Sequence, residues 1–460
     1  MTAASKDRKG DTLVLGGVVA STTAAGASAR VPMGEVNLRD RGDGSVEVKI
    51  APKIDIEVDA EAVDPTTPPI KLKMAMEQKG YVAVVSGSKE TPVIEMNADS
   101  VTLRQERVDL PENEGAFESE FTLNQIEGRA ELKTGEATEV AYNLKAAGLQ
   151  AKGGGSHGKE GGAIDIAFEA QNFTSVFEGT LPAGMANTQE LHEVISAGLR
   201  GKGSYESGPG KLDVVVRDKG QDTKFNLTME STSLNAGLEA TGIDYGVGAK
   251  GLAASFSGPA VPLPEFKVTA SEYQLGLRMP LIKTEAPTDF GAVVRLTDLV
   301  LPDFAWMMFD PSGSLPREAA SLIVDLSGKV RLTQNISSDP EDNLSEEMPG
   351  EIHAININEL LLKLVGAELT GAGGFTFDNT DMETFEGFPR PMGSVDFRLV
   401  GGNKLIDQLV ALGLIGEDEV MGYRMMLAMF TKAGEGEDVL TSKIEVTPEG
   451  NVIANGQRIQ

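Results

Sequence analysis

The strongest constraint in this chain is a hydropathy period of two that recurs from one end to the other. Val46, Val48 and Ile50 alternate with Glu47 and Lys49, and Ile54, Ile56 and Val58 with Asp55, Glu57 and Asp59. Ile70, Leu72, Met74 and Met76 alternate with Lys71 and Lys73. Successive side chains of a strand point to opposite faces, so each run makes one apolar and one wet face, as in antiparallel strands solvated on one side. The pattern continues through residues 81–85, 93–98, 101–103, 117–123, 129–132 and 140–144, and again through 164–168 and 175–179. Gly42-Asp43-Gly44 reads as a hairpin turn and Pro65, Pro68 and Pro69 as a loop. Short turns between successive runs predict a meander. Residues 153–162, rich in glycine, imitate a phosphate-cradling loop, but Glu160 stands where Ser or Thr would meet magnesium, and we read a hairpin tip.

Helical periodicity is confined to a few places. Residues 188–199 carry Leu191, Val194, Ile195 and Leu199 on one face, with Thr188 as a cap and Gly201 closing. A short helix is expected at 316–323. The chain ends with a helical hairpin. In 403–415, Leu405, Ile406, Leu409, Val410 and Leu412 form one stripe behind an Asn403 cap. In 417–432 the first turn is acidic, the end is basic, and the middle is apolar almost all round, which predicts burial on most sides. Two strand runs, 443–447 and 452–459, are expected to close the chain around an Asn-Gly turn. Three times a strand region passes through a helix and a glycine to another strand, at 188–216, 316–333 and 403–446.

These patterns predict a mainly β fold, a β-dominated α+β chain of elongated antiparallel meander sheets curved into a groove, with a few helices covering sheet ends or one face. Strand should exceed helix by at least about two to one. Pro259, Pro262 and Pro264 form a stiff link that divides the chain into 1–260, β-rich with one helix near 188–199, and 261–460, a β region with the hairpin at 403–432. At the N-terminus, Lys6, Arg8 and Lys9 precede a mildly apolar run and Ala27-Ser28-Ala29 imitates a cleavage site, but Asp11, Gly16 and Gly17 dilute the segment, and we read a first strand.

Composition narrows the chemistry. The absence of Cys excludes disulfides, thiolate zinc sites and cysteine nucleophiles together. The formal net charge of -28 repels nucleic acid and anionic lipid headgroups, so no nucleic-acid partner is expected. The three His, at 157, 192 and 353, are far apart in sequence. Asp378, Asp381 and Glu383 lack the spacing and glycine of a calcium loop and read as a capped turn. With no nucleophile–base pair and no dinucleotide fingerprint, we expect no catalytic residue, no metal and no cofactor.

Aromatics make up 5% of the chain, and its apolar complement is aliphatic and thioether-rich, which suits acyl chains. The densest apolar cluster outside the helices is Trp306, Met307, Met308 and Phe309; its counterpart within them is Met421, Met425, Met426 and Met429. These eight are the candidate ligand-binding residues, read as lid and floor of one cavity; the plainer reading makes both groups ordinary core.

In the C-terminal part, Arg295-Leu-Thr-Asp-Leu299, Leu322-Ile-Val-Asp-Leu-Ser-Gly328, Val365-Gly-Ala-Glu-Leu-Thr-Gly371, Phe375-Thr-Phe-Asp-Asn379 and Asn455-Gly-Gln-Arg-Ile459 resemble a family of alphaproteobacterial exported proteins, domain of unknown function two-one-two-five. The likeness covers about 277–460. It implies a periplasmic location and supplies no catalytic residues. The expected function is therefore non-enzymatic binding of a hydrophobic or amphipathic ligand, such as a lipid, in an apolar concavity. The alternative is an envelope scaffold or assembly factor that binds a protein partner.

Overall fold

A computed structural model describes residues 1–24, 27–60, 70–109, 115–157, 162–183, 191–259, 266–336 and 349–460. Strands hold 68% of the chain and helices 8%, so the mainly β reading stands. The chain begins with β1 (Ser5–Lys9), β2 (Thr12–Ala24), β3 (Ala27–Asp40), β4 (Val46–Ile50), β5 (Lys53–Ala60), β6 (Ile70–Lys79) and β7 (Val82–Gly87). Four long strands follow: β8 (Pro92–Asp109), β9 (Gly115–Thr134), β10 (Ala137–His157) and β11 (Gly162–Pro182). After α1 (Leu191–Ser196) come β12 (Arg200–Ser207), β13 (Gly210–Asp218), β14 (Gln221–Met229), β15 (Ser231–Leu238) and β16 (Gly242–Ser257). Next are β17 (Phe266–Pro280), β18 (Thr288–Leu299), α2 (Asp303–Met307), β19 (Ala320–Leu332), β20 (Gly350–Leu364), β21 (Ala367–Asp378) and β22 (Arg390–Val400). The chain closes with α3 (Gly402–Ala411), α4 (Glu417–Phe430), β23 (Lys432–Ala433), β24 (Val439–Val446), β25 (Val452–Ala454) and β26 (Gln457–Arg458). By packing these form two units: Met1–Ala183 with Gly201–Ser233 and Ala254–Phe266, and Gly184–Arg200 with Leu234–Ala253 and Lys267–Gln460.

In the first unit every registered pairing is antiparallel. β1, β2 and β3 are neighbours in order; β3 then pairs with β5 through residues 27–30 and with β4 through residues 36–40. β4 continues to β7 and β5 to β6, and both β6 and β7 pair with β8, so two interrupted strands lie between β3 and β8. β8, β9, β10 and β11 form the expected meander, continued by β13 and β14. The Gly42-Asp43-Gly44 turn lies between β3 and β4 as read, with the Asp43 carboxylate accepting from the Ser45 N–H and Oγ.

The long strands correct the sequence reading. The sequence predicts separate strands at 117–123 and 129–132, and at 164–168 and 175–179; each pair lies within one strand, β9 or β11. The apolar parity changes midway. In β9 it runs Phe117, Phe121, Leu123 and then Ile126, Ala130, Leu132; in β11 it runs Ile164, Ile166, Phe168 and then Phe173, Phe177, Leu181. Gln125 (φ 50°) and Asn172 (φ 52°) stand at the two changes. A left-handed residue inside a strand advances the side-chain alternation by one, as bulges do, so the apolar side chains stay on one side. The packing agrees: Leu123 and Val101 from one parity join Ile126, Ala146, Ala98 and Leu144 from the other in a single cluster.

The second unit orders β17, β18, β19, β20, β21, β22, β24, β25 and β26 as antiparallel neighbours, with β23 on β24. The Asn455-Gly456 turn joins β25 to β26, inside the second expected run; both residues have positive φ (52° and 87°), which a tight two-residue hairpin requires. The expected helix at 316–323 is absent. The N–H groups of Ser314 and Leu315 are drawn to the carboxylate of fully buried Asp310, and β19 begins at Ala320 to pair with both β18 and β20, so ladder pairing overrides local periodicity. The echo of three strand–helix–strand units therefore lacks its middle helix. Thr188, Pro65, Pro68, Pro69, Pro262 and Pro264 lie outside the described residues.

The cap of α3 also differs. Asn403 lies inside the helix, and the donors at its start go to Asp438, whose carboxylate accepts from the N–H groups of Asn403 and Lys404 and from Asn403 Nδ2. Partial burial, the largest single influence, pushes the Asp438 carboxyl up, but these donors together hold it below its ordinary 3.8. A lowered folded-state value means stabilisation that is full above 3.8 and is lost as pH falls through the folded value. Asp438→Ala should cost about 0.5–2 kcal/mol in urea denaturation at neutral pH, and the difference from wild type should shrink in acid.

Candidate functional site

Register shows what the alternation builds. Ile54, Met76, Leu103, Phe121, Ala151, Phe168, Leu212 and Leu227 stand directly opposite one another on β5, β6, β8, β9, β10, β11, β13 and β14. Residues directly opposite in an antiparallel ladder share a face, so this is one apolar row across eight strands. A row two residues along the strands continues it with Ser119, Gly153, Ile166, Val214 and Phe225. The next, at the strand ends, holds Phe117, Gly155, Ile164 and Val216. Gly155 leaves room for its neighbour: a Cβ there would sit 3.4 Å from the Phe117 ring and 3.1 Å from the Ala116 carbonyl.

The intervening row on the other face is Asp55, Ala75, Arg104, Glu120, Lys152, Ala167, Asp213 and Asn226. There Arg104 pairs with Glu120 at 2.7 Å and Lys211 with Asp213 at 2.7 Å, and a cavity of about 440 Å³ is lined by residues that include Arg104, Glu120, Lys152 and Asp213. The two faces thus differ sharply in chemistry, yet the apolar one is only partly covered: Ile54 is buried at 2%, while Phe121 is 39% exposed, Ile166 37% and Val216 41%. Six of these strands at ~4.8 Å spacing, each contributing some 20 Å of length, span a gross area of roughly 500–600 Å², the upper end of the largest patch on an ordinary monomer.

The second unit repeats the arrangement with leucine. Tyr273, Leu296, Leu322, Leu362, Leu369, Leu399 and Leu440 are directly opposite one another on seven strands from β17 to β24. Leu362 is 42% exposed. The other face carries Gln274, Arg295, Ile323, Leu361, Thr370, Arg398, Thr441 and Lys432. A cavity of about 910 Å³ opens there, where Arg398, Lys432 and Lys443 are offset by Glu359, Glu368 and Asp396.

The eight candidate residues divide in another way. Trp306 is buried and packs with Leu315 and Val365, and with Leu301, Leu405 and Leu412, so it anchors α2 and α3 to the turn between β20 and β21. Its ring lies 5.1 Å from that of Phe309. Met307, Met308 and Phe309 are exposed, as are Met421, Met425, Met426 and Met429. Helix α4 is therefore not buried on most sides, as its composition predicts; only Val420, Leu427 and Phe430 are half-buried among its apolar residues. It leans on α3 through the Arg424–Asp407 ion pair and on the sheet through Asn455 Nδ2, which donates to the Phe430 carbonyl at 2.8 Å. Since Met425 is 68% exposed, Met425→Ala should change stability by less than about 0.5 kcal/mol in chemical denaturation; a buried methionine would cost several times more.

The acidic turn at 378–383 is spent on structure. Asp378 accepts from the Oγ1 and N–H of Thr380 and from Arg390 at 2.8 Å, while Asp381 accepts from Thr384 and lies 3.3 Å from Arg390 Nε. The Thr380 hydroxyl, then its N–H and Arg390, hold the Asp378 carboxyl below its ordinary value; the Thr384 N–H leads the same effect on Asp381. Among the described residues no group of three His, Asp or Glu side chains converges as a metal site would need.

A family model described as "Uncharacterized protein conserved in bacteria (DUF2125)" matches residues 209–454. The chain belongs to the DUF2125 family. The match begins well before the stretch in which the sequence motifs were found and takes in β13 to β25. It thus holds the whole leucine row, the helices α2 to α4 and the last two strands of the first unit's apolar face. No curated protein and no solved structure matched the chain.

Proposed function

We propose that this DUF2125 protein is a non-enzymatic carrier of an amphipathic lipid, held by its acyl chains against the apolar sheet faces, and that it works in the bacterial periplasm. The observation that carries this reading is the row of eight apolar residues from Ile54 to Leu227, continued by large side chains that remain more than a third exposed. An acyl chain needs contact area and few directional bonds, and half-exposed aliphatic and thioether surface supplies that. The largest apolar patch on a folded chain is often functional, and this one is contiguous across several strands and partly open. The polar clusters favour no reaction: the turn carboxylates are held by arginine and threonine, and the charges around the larger cavity are balanced. The periplasmic part of the proposal rests on the exported relatives that the sequence resembles.

The test is titration of delipidated full-length protein with a fluorescent fatty acid. Saturable binding at micromolar probe is expected, displaced by unlabelled phospholipid. No saturable signal, or a signal that phospholipid leaves untouched, rejects the carrier reading in favour of a scaffold.

A further inference from the structure

The larger cavity of the second unit lies on the face away from the leucine row, and its charges balance in sum but not in place. Arg398 on β22, Thr441 on β24 and Lys432 on β23 stand directly opposite one another in register. Residues opposite in an antiparallel ladder share a face, so the two cations flank one threonine. Strand β23 is two residues long, and its pairing with β24 sets Lys432 in this row. At ~4.8 Å per strand the Arg398 and Lys432 backbones are about 10 Å apart, close enough for two long side chains to hold one group between them. Among the described residues neither of these two side chains makes an ion pair or a hydrogen bond, and the Thr441 hydroxyl makes none. The other charges of the cavity each have an opposite charge of their own. Lys443 pairs with Glu445 at 3.1 Å and Glu359 with Arg295 at 3.2 Å. Glu368 stands opposite Lys363. Asp396, two residues from Arg398 on the same face, stands opposite Lys443.

We infer that this row binds a phosphate monoester, gripped between Arg398 and Lys432 with the Thr441 hydroxyl as a third donor. A guanidinium fork matches two phosphate oxygens, and an ammonium adds a mobile point charge. A phosphate monoester carries about -1.5 to -2 charges at pH 7, which two unpaired cations match; a carboxylate would leave one of them over. The cavity, about 910 Å³, is larger than a phosphate alone fills. Leu361 continues the same row beyond Thr370 and offers apolar surface to the organic part of the ester. The net charge of -28 opposes an anion at a distance, so the site has to act at contact range, where unspent cations outweigh a screened field. This face is the reverse of the one proposed to hold acyl chains, so the inference goes beyond the carrier reading and stands without it. A soluble phosphate ester and a phosphatidic-acid headgroup present the same chemistry.

Equilibrium dialysis of the full-length protein against phenyl phosphate tests this. Saturable binding of one ester per chain is expected. Arg398→Gln and Lys432→Gln should each weaken it at least about tenfold, the loss of a hydrogen bond to a charged group. Both side chains are exposed, so the variants should fold, with circular dichroism as the check. Arg398→Lys, which keeps the charge and loses the fork, should bind between the wild type and Arg398→Gln. Lys443→Gln takes the same charge from the same cavity, but from a side chain already paired with Glu445, and should bind like the wild type. Benzoate, with its single charge, should compete only weakly. Glycerol 3-phosphate and dihexanoyl phosphatidic acid, the latter below its micelle-forming concentration, then identify the source. Tighter binding of phosphatidic acid that Arg398→Gln removes assigns a lipid headgroup, and equal affinity assigns a soluble ester; either supports the site. No saturable binding of phenyl phosphate at millimolar concentration overturns the inference. So does an Arg398→Gln variant that binds as the wild type does. An equal loss in Lys443→Gln overturns it as well, since that is unspecific attraction, and so does equal competition by benzoate. Fatty-acid binding should be unchanged in Arg398→Gln, so failure of this site and failure of the carrier reading are read separately.

Discussion

Replacing Trp306 with alanine is expected to cost about 3–5 kcal/mol, the largest effect of any single substitution at the helical end. The ring is 6% exposed and fills the space between Leu315, Val365, Leu405 and Leu412, which come from three separate stretches of chain. Deleting it leaves a cavity that α2 and α3 cannot both collapse into, because α2 is a single turn and α3 is fixed at its start by Asp438. Urea denaturation followed by circular dichroism should show the loss, and Trp306→Phe should recover most of it. A cost below about 1 kcal/mol would mean that α2 and α3 are held by something other than this cluster.

The second large effect falls on ligand binding and leaves stability nearly unchanged. Ile166→Asp places a carboxylate in the middle of the first unit's apolar face, between Gly153 on β10 and Val214 on β13. The side chain is 37% exposed, so the charge stays hydrated in the free protein and the fold should survive. A bound acyl chain would have to remove that hydration, and fatty-acid affinity should drop at least about tenfold, to the limit of detection if the probe crosses this position. Ala167→Asp, the neighbouring position on the charged face, should bind like wild type. Equal affinity in both variants would move the ligand off this face.

How much of this was legible in the sequence follows from the physics of the alternation. Residues 46–58 and 70–76 keep one parity, and their strands, faces and the turn at Gly42-Asp43-Gly44 were read directly. Gln125 and Asn172 broke the pattern. A left-handed residue resets the period without ending the strand, so β9 and β11 looked like pairs of short strands, and the face they share could not be assembled. Register was the missing quantity: nothing local tells Phe121 that it lies between Leu103 and Ala151. The parity change itself was the available signal, since it recurs between Ala98 and Val101, Leu123 and Ile126, Ala146 and Leu149, and Ala170 and Phe173.

The candidate residues do not share one environment, for a related reason. Apolar composition marks what avoids water in a finished assembly, and Trp306 and Met425 share it although one is core and the other surface. Likewise Asn403 has the side chain of a helix cap, but a carboxylate from the β23–β24 connection, Asp438, accepts from the donors at the start of α3.

The central claim is that acyl chains lie on the apolar sheet faces, and photo-crosslinking locates them most directly. A diazirine-bearing fatty acid is loaded on the full-length protein, irradiated, and its adducts mapped by tandem mass spectrometry. The account predicts adducts on apolar-face positions such as Phe121, Phe168 and Leu362, competed away by unlabelled phospholipid. Adducts confined to the charged face around Lys152 and Asp213, or none that phospholipid displaces, would contradict it.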